Sequence, residues 1–129
     1  MDFYELAKAR YSCRKLSDKP VEQEKVKKIL EAAQAAPTAH NMQPEHIWVI
    51  TKPEDIEQIK EATTCTFGAG LFFVVGSKNE DGWVRDADGR PFADVDASIV
   101  GTHIMMEVKD LGLEINTQRL IQFNEATAA

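Results

Sequence analysis

Two arginines and a serine alternate near the start of the chain, as Arg10-x-Ser12-x-Arg14. Guanidinium groups donate hydrogen bonds in a fork that matches phosphate and other oxygen-rich anions, and a hydroxyl can add one more bond. Because successive side chains of an extended segment point to opposite sides, all three would lie on one side of such a segment. The pattern is also typical of a solvated basic patch, and when the motif is judged by itself this interpretation is favoured over an anion site.

A second group of polar residues lies between two prolines, Pro37 and Pro44. The side-chain amides of Asn41 and Gln43 could read the donor and acceptor edge of a heterocycle. Residues with amide side chains are also common in turns, and when this loop is judged by itself the turn interpretation is favoured. The loop becomes a candidate binding element only if other residues support it.

Hydrophobic periodicity and capping residues predict the elements that must position these two groups. Asp2 and Glu5 have capping-box spacing, and prolines delimit the second helix and open the third. The predicted elements, in chain order, are a helix from Asp2 to about Arg10, a helix from Pro20 to Pro37, a strand from His46 to Ile50, a helix opening at Pro53, a strand from Leu71 to Val75, a helix from Asp94 to Leu111, and short strands at 113–116 and 120–123.

The long helix is apolar on two sides. One stripe consists of Val100, Ile104, Val108 and Leu111, and the other of Val95, Ile99 and Met106. A helix with two apolar sides is buried on both, either in a core or between subunits. We expect Ile104 to face a second subunit.

The composition excludes several classes of protein. The 129 residues suit a single domain over 1–129, and a hydrophobic content of 43% suits a packed core. A net charge of −6 argues against nucleic-acid binding. No apolar run approaches the roughly 20 residues of a membrane span, and the acidic start does not look like a signal peptide, so we expect a cytoplasmic protein. The histidines and cysteines show no metal-ligand spacing, and we predict no metal site.

Taken in order, the two polar groups and the segments between them resemble the flavin-dependent nitroreductase family. The residues that carry the resemblance are Arg10-x-Ser12-x-Arg14, Pro20-Val21, Ile29-Leu30-Glu31-Ala32-Ala33, and Ala36-Pro37-Thr38-Ala39-x-Asn41-x-Gln43-Pro44, followed by a strand. The strand at 71–75 and the helix that ends in Leu111-Gly112-Leu113 match the family as well. The resemblance covers about residues 1 to 116.

The resemblance implies an α+β fold, with a mostly antiparallel sheet flanked by helices, and a homodimer with FMN at the subunit interface. It also implies a set of FMN-binding residues: Arg10, Ser12 and Arg14 at the phosphate and ribityl chain, and Pro37, Thr38, Ala39 and nearby Asn41 against the flavin from the other subunit. NAD(P)H would deliver hydride to flavin N5, and a nitroaromatic, a quinone or a similar acceptor would take the electrons. Since the flavin supplies the chemistry, we expect no catalytic side chain.

Relative to the family, the chain looks shortened between about residues 116 and 119, and Arg119 is a candidate remnant of a late basic contact to the phosphate. The leading hypothesis is an FMN-dependent NAD(P)H oxidoreductase of nitroreductase type. The alternative is a degenerate, non-catalytic flavin-binding or structural dimer. A plain anion-binding domain would require the resemblance to be accidental.

Overall fold

A computed structural model describes residues 2–116. Within them the elements, in chain order, are helix α1 (Phe3–Ala9), helix α2 (Gln23–Ala35), a 3₁₀ turn (Ala39–Asn41), strand β1 (Glu45–Ile50), helix α3 (Pro53–Ala62), strand β2 (Phe72–Ser77), a 3₁₀ turn (Asn79–Asp81) and helix α4 (Ala93–Asp110). The predicted elements up to α4 are confirmed, with ends that shift by up to three residues. The predicted strand at 113–116 is wrong, because the segment contributes one parallel bridge, between Ile115 and Ser12. The predicted strand at 120–123 and Arg119 lie outside the described residues.

Helix α1 begins with the predicted capping box. The N–H of Glu5 donates to Asp2 Oδ1 at 2.8 Å, and the N–H of Asp2 donates to Glu5 Oε2 at 3.2 Å. This reciprocal pair satisfies amides that the first turn of a helix leaves unbonded. The helix ends at Ala9, and Arg10 has extended backbone angles (φ −65°, ψ 131°). The first of the alternating residues therefore leaves the helix in an extended conformation.

The core lies between α2, α4 and one face of a two-stranded antiparallel sheet. In that sheet Ile47 pairs with Val75, and Val49 pairs with Phe73. The side chains buried together are Ile29, Ala33 and Ala36 from the α2 region, and Val100, Ile104 and Val108 from α4. Strand residues Ile47, Phe73 and Val75 pack against this cluster from the sheet. The described chain is thus α+β, with an antiparallel sheet covered by helices, as expected.

The expectation that Ile104 faces a second subunit is wrong. Ile104 is only 3% exposed and is buried within the chain's own core. The outer stripe of α4 is half-buried, and of its members Ile99 also packs against the core. Val95 and Met106 therefore remain as the residues of this outer stripe that a second subunit could cover.

Helix α4 ends in a Schellman motif at Gly112. The N–H of Leu113 donates to the carbonyl of Val108 at 3.1 Å, and the N–H of Gly112 donates to that of Lys109 at 3.0 Å. Gly112 has a φ of +79°, the left-handed conformation that glycine adopts without a steric penalty. The turn directs residues 113–116 away from the helix axis and towards the segment that follows α1.

Candidate functional site

The segment from Arg10 to Arg14 is fixed beside the chain that follows α4. The N–H of Cys13 donates to the carbonyl of Ile115 at 3.1 Å, and the side-chain amide of Asn116 donates to the carbonyl of Cys13 at 2.9 Å. Cys13 is 7% exposed, whereas Ser12 and Arg14 are exposed. The alternation predicted from the sequence therefore holds from Ser12 to Arg14, with the thiol directed inwards and the candidate anion-binding side chains outwards.

The two arginines of this segment have no acidic partner among the described residues. None of the ion pairs formed within 2–116 includes Arg10 or Arg14. Arg10 is half-buried and Arg14 is exposed. Next to them the Lys109 ammonium lies 5.4 Å from the centre of the Tyr11 ring, and its Nζ is 2.8 Å from Glu114 Oε1. The pKa of the Tyr11 phenol is raised, chiefly by the adjacent Cys13 side chain.

The second predicted element is the loop from Thr38 to Pro44, whose backbone is unusual. His40, Asn41 and Gln43 have φ values of 52°, 53° and 49°, a left-handed conformation that non-glycine residues adopt at a cost. A local bond from the Gln43 N–H to Thr38 Oγ1 at 3.0 Å closes the loop. Pro37 and Asn41 are exposed, Thr38 and Ala39 are half-buried, and Pro44 is buried at the end of the loop.

A hydrogen bond and a ring stack attach this loop to other described residues. The N–H of Ala39 donates to Asp96 Oδ1 in the first turn of α4 at 3.0 Å. The imidazole of His40 stacks on the indole of Trp83, with ring centres 4.9 Å apart and planes 22° apart, and Trp83 in turn contacts Phe92. Sequence reasoning missed Asp96 and Trp83. The one available signal was an acidic residue four positions before Val100, on the inner stripe of α4.

The two candidate elements lie at opposite ends of α4. The loop bonds to Asp96 in the first turn, and the arginine segment bonds to residues beyond Asp110, where the helix ends. At 1.5 Å per residue, Asp96 and Asp110 are about 21 Å apart along the axis. No hydrogen bond, ion pair or ring contact of the described residues joins the two elements. Each element is held by bonds of its own, and the structure does not bring the two together within one chain.

Residues 2–116 contain neither a cluster of metal-ligating side chains nor a membrane-spanning helix. No group of three histidine, cysteine or acidic side chains there is placed to hold a metal ion. In the same range, no helix combines the length and apolar character needed to cross a membrane.

The chain matches known proteins over the region that contains both elements. Residues 7–67 match the model of the nitroreductase family. A stretch of 61 residues is 41% identical to a protein of Methanothermobacter thermautotrophicus, whose provisional name is NADH dehydrogenase/NAD(P)H nitroreductase. The matched stretch covers 47% of this chain and 32% of that relative. The chain therefore spans about a third of the length of this curated relative.

Solved structures extend the likeness to most of the described chain. A nitroreductase family protein from Clostridium difficile 630 is 41% identical with a TM-score of 0.85, over 88% of this chain and 66% of that one. An FMN-dependent nitroreductase from Clostridium difficile R20291 is 29% identical with a TM-score of 0.69, over 87% of this chain and 63% of that one. The expected nitroreductase-like fold is confirmed. From the shared fold, the 41% identity and the match over residues 7–67, we conclude that this chain belongs to the nitroreductase family.

Proposed function

We propose that this chain is an FMN-dependent oxidoreductase that passes electrons from NAD(P)H to a small-molecule acceptor, such as a nitroaromatic or a quinone. Family membership supports the proposal, as do the FMN dependence of one similar structure and the NAD(P)H in the name of the archaeal relative. We further propose that the protein acts in the cytoplasm as a homodimer. A single domain over 1–129, shortened at about 116–119 relative to the family, belongs to the same proposal.

The observation that carries the proposal is the position of the two candidate elements at opposite ends of α4. Within one chain about 21 Å of helix separates the two elements, so a single subunit does not bring both to one FMN molecule. A two-fold axis that sets two α4 helices antiparallel would bring the start of one helix to the end of the other. The arginine segment of one subunit would then adjoin the loop of its partner, and Val95 and Met106 would lie between the helices.

The arginine segment has the donors that a phosphate requires. Arg10 and Arg14 are not engaged by carboxylates of the described residues, and the Ser12 hydroxyl is exposed. In the proposed role the guanidinium groups donate charge-assisted hydrogen bonds to the FMN phosphate, and Ser12 bonds the phosphate or the ribityl chain. The fixed bonds of Cys13 to residues 115 and 116 keep this segment extended, so little ordering is needed on binding.

The loop offers the apolar and polar surface that a flavin ring requires. In the proposed role Pro37, Thr38 and Ala39 pack on the ring and exclude water, and the exposed Asn41 amide would bond the polar edge of the ring. Bound FMN supplies the redox chemistry, with N5 as the atom that accepts hydride from NAD(P)H. The protein binds and orients the reactants, and no side chain is assigned as a catalytic acid or base.

A flavin titration followed by reduction tests this function. We expect FMN to bind the purified dimer, and NADH or NADPH to bleach the flavin spectrum under anaerobic conditions, with the colour returning when an acceptor is added. Binding without bleaching would support the alternative of a non-catalytic flavin-binding dimer. Absence of FMN binding at any concentration would overturn the proposal.

A complementation experiment tests the shared site. One variant, Arg10→Ala/Arg14→Ala, lacks the phosphate donors, and the other, Ala39→Trp, fills the position proposed for the ring. The two are co-expressed with different tags, and the heterodimer is purified on both. If each site takes its halves from two subunits, the heterodimer keeps one intact site and binds about half as much FMN as the wild-type dimer. If both halves came from one chain, every site would carry a defect and binding would be lost.

A further inference from the structure

Asp96 is the one charged side chain in the fully buried part of residues 2–116. It is 2% exposed, in the first turn of α4. Its Oδ1 accepts a hydrogen bond from the N–H of Ala39, 57 residues away in sequence. Its Oδ2 is also buried and has no hydrogen-bond partner among the described residues. Burial of a carboxylate with an unbonded oxygen is unfavourable. Among the described residues, the bond to Ala39 is the hydrogen bond that offsets this cost for the Asp96 side chain.

The loop that donates this bond also has local backbone bonds, from the N–H of Asn41 to the carbonyl of Thr38 at 3.0 Å and from that of Met42 to the carbonyl of Ala39 at 3.2 Å, but these do not orient it relative to α4. Three of its residues, His40, Asn41 and Gln43, are non-glycine residues in the left-handed region, where an isolated segment would relax. The Thr38–Gln43 bond closes the loop on itself but does not orient it relative to α4. Orientation depends on Asp96 at one side and on the stack of His40 against Trp83 at the other.

We propose that Asp96 is a positioning residue of the flavin site. Its buried carboxylate holds the loop from Thr38 to Pro44 against α4 and thereby sets the affinity of the loop for the flavin ring. This inference rests on the proposed function. The acting atom is the acceptor Oδ1, and the negative charge is incidental. An asparagine, whose carbonyl oxygen can occupy the same place, should therefore preserve the effect, and an alanine should abolish it.

A competing explanation is that Asp96 serves only the positive end of the α4 dipole. Acidic residues in the first turn of a helix are favourable wherever they point. Asp94 provides a matched control, because it lies in the same turn, is exposed, and its carboxylate accepts a bond from the N–H of Val95, at 2.9 Å, rather than from the loop. Removal of Asp94 costs the same interaction with the dipole and leaves the loop untouched.

The fluorescence of Trp83 tests the loop position without any flavin. In a Trp48→Phe background, Trp83 is the remaining tryptophan, and His40→Ala gives the signal expected when its stacking partner is lost. We expect Asp96→Ala to shift the Trp83 emission towards that of His40→Ala and to weaken FMN binding about tenfold. Asp96→Asn and Asp94→Ala should keep the wild-type emission and affinity.

Ala39→Pro provides the reciprocal variant if Asp96→Ala does not fold. Proline at this position removes the donor N–H, and Thr38 already has the extended angles (φ −132°, ψ 156°) that a residue before proline adopts. The same shift in Trp83 emission is expected of Ala39→Pro alone. Wild-type emission in Ala39→Pro or in Asp96→Ala would overturn the inference, even if the wild-type protein binds FMN. Loss of FMN binding by the wild-type protein itself would instead refute the proposed function.

Discussion

Two glycines in and after α4 allow the same substitution to be made with opposite consequences. Gly101 lies within the helix, and Gly112 ends it with a φ of +79°. A β-carbon added at either position would meet nothing within 4 Å, so steric contacts contribute to neither variant. Any difference between Gly101→Ala and Gly112→Ala therefore reports the conformational preference of the backbone alone.

The expected magnitudes follow from the backbone angles. Alanine in a helix interior is more stable than glycine by about 0.5–1 kcal/mol, so Gly101→Ala should raise the free energy of unfolding by that amount. A left-handed alanine costs about 1–2 kcal/mol, only partly offset by the lower entropy of the unfolded chain, so Gly112→Ala should lower it by about 1 kcal/mol. Gly112→Asn should lose less, since asparagine tolerates this conformation better.

Urea unfolding of the flavin-free protein measures both effects. It is done at several protein concentrations, because dimerisation would make the free energy of unfolding depend on concentration. We also expect Gly112→Ala, but not Gly101→Ala, to weaken FMN binding. The turn at Gly112 carries residues 115 and 116 to their bonds with Cys13, beside the candidate phosphate donors. A shift of both variants in the same direction, or a Gly112→Ala variant more stable than Gly101→Ala, would contradict this prediction.

Two further predictions concern the phosphate donors and the dimer. Arg10→Ala and Arg14→Ala should each weaken FMN binding about ten- to a hundredfold, since a charge-assisted bond contributes roughly 1.5–3 kcal/mol; riboflavin, which lacks the phosphate, should show almost no change in the same equilibrium titrations. Equal losses for both ligands would exclude a phosphate contact. On α4, Met106→Glu should yield a folded monomer in sedimentation, whereas Ile104→Glu, which puts an unpaired carboxylate into the core, should unfold the chain. A Met106→Glu dimer as stable as wild-type would contradict the proposed packing of α4.

The elements with local signals are those the sequence predicts best. The capping box of α1 and the glycine that ends α4 are determined by residues within one turn of each other, and both are confirmed. The two stripes of α4 were also identified correctly as stripes. Their partners were not, because periodicity shows which residues share a face but not what that face meets. Ile104 belongs to the same core cluster as Ile29 and Ala33 of α2, a grouping that no local pattern indicates.

The candidate site, too, could be predicted from the sequence only in part. The residue types of the arginine segment and the loop could be interpreted from their spacing, since guanidinium and amide groups have chemistry of their own. Asp96 could have been flagged, because a carboxylate on the inner stripe of a helix must find a partner or destabilise the core. Its partner is the backbone N–H of Ala39. Every residue except proline has this group, so the residue type at position 39 does not indicate the bond. The contact between loop and helix therefore follows from the packing of α2 on α4, which brings the end of one helix to the start of the other.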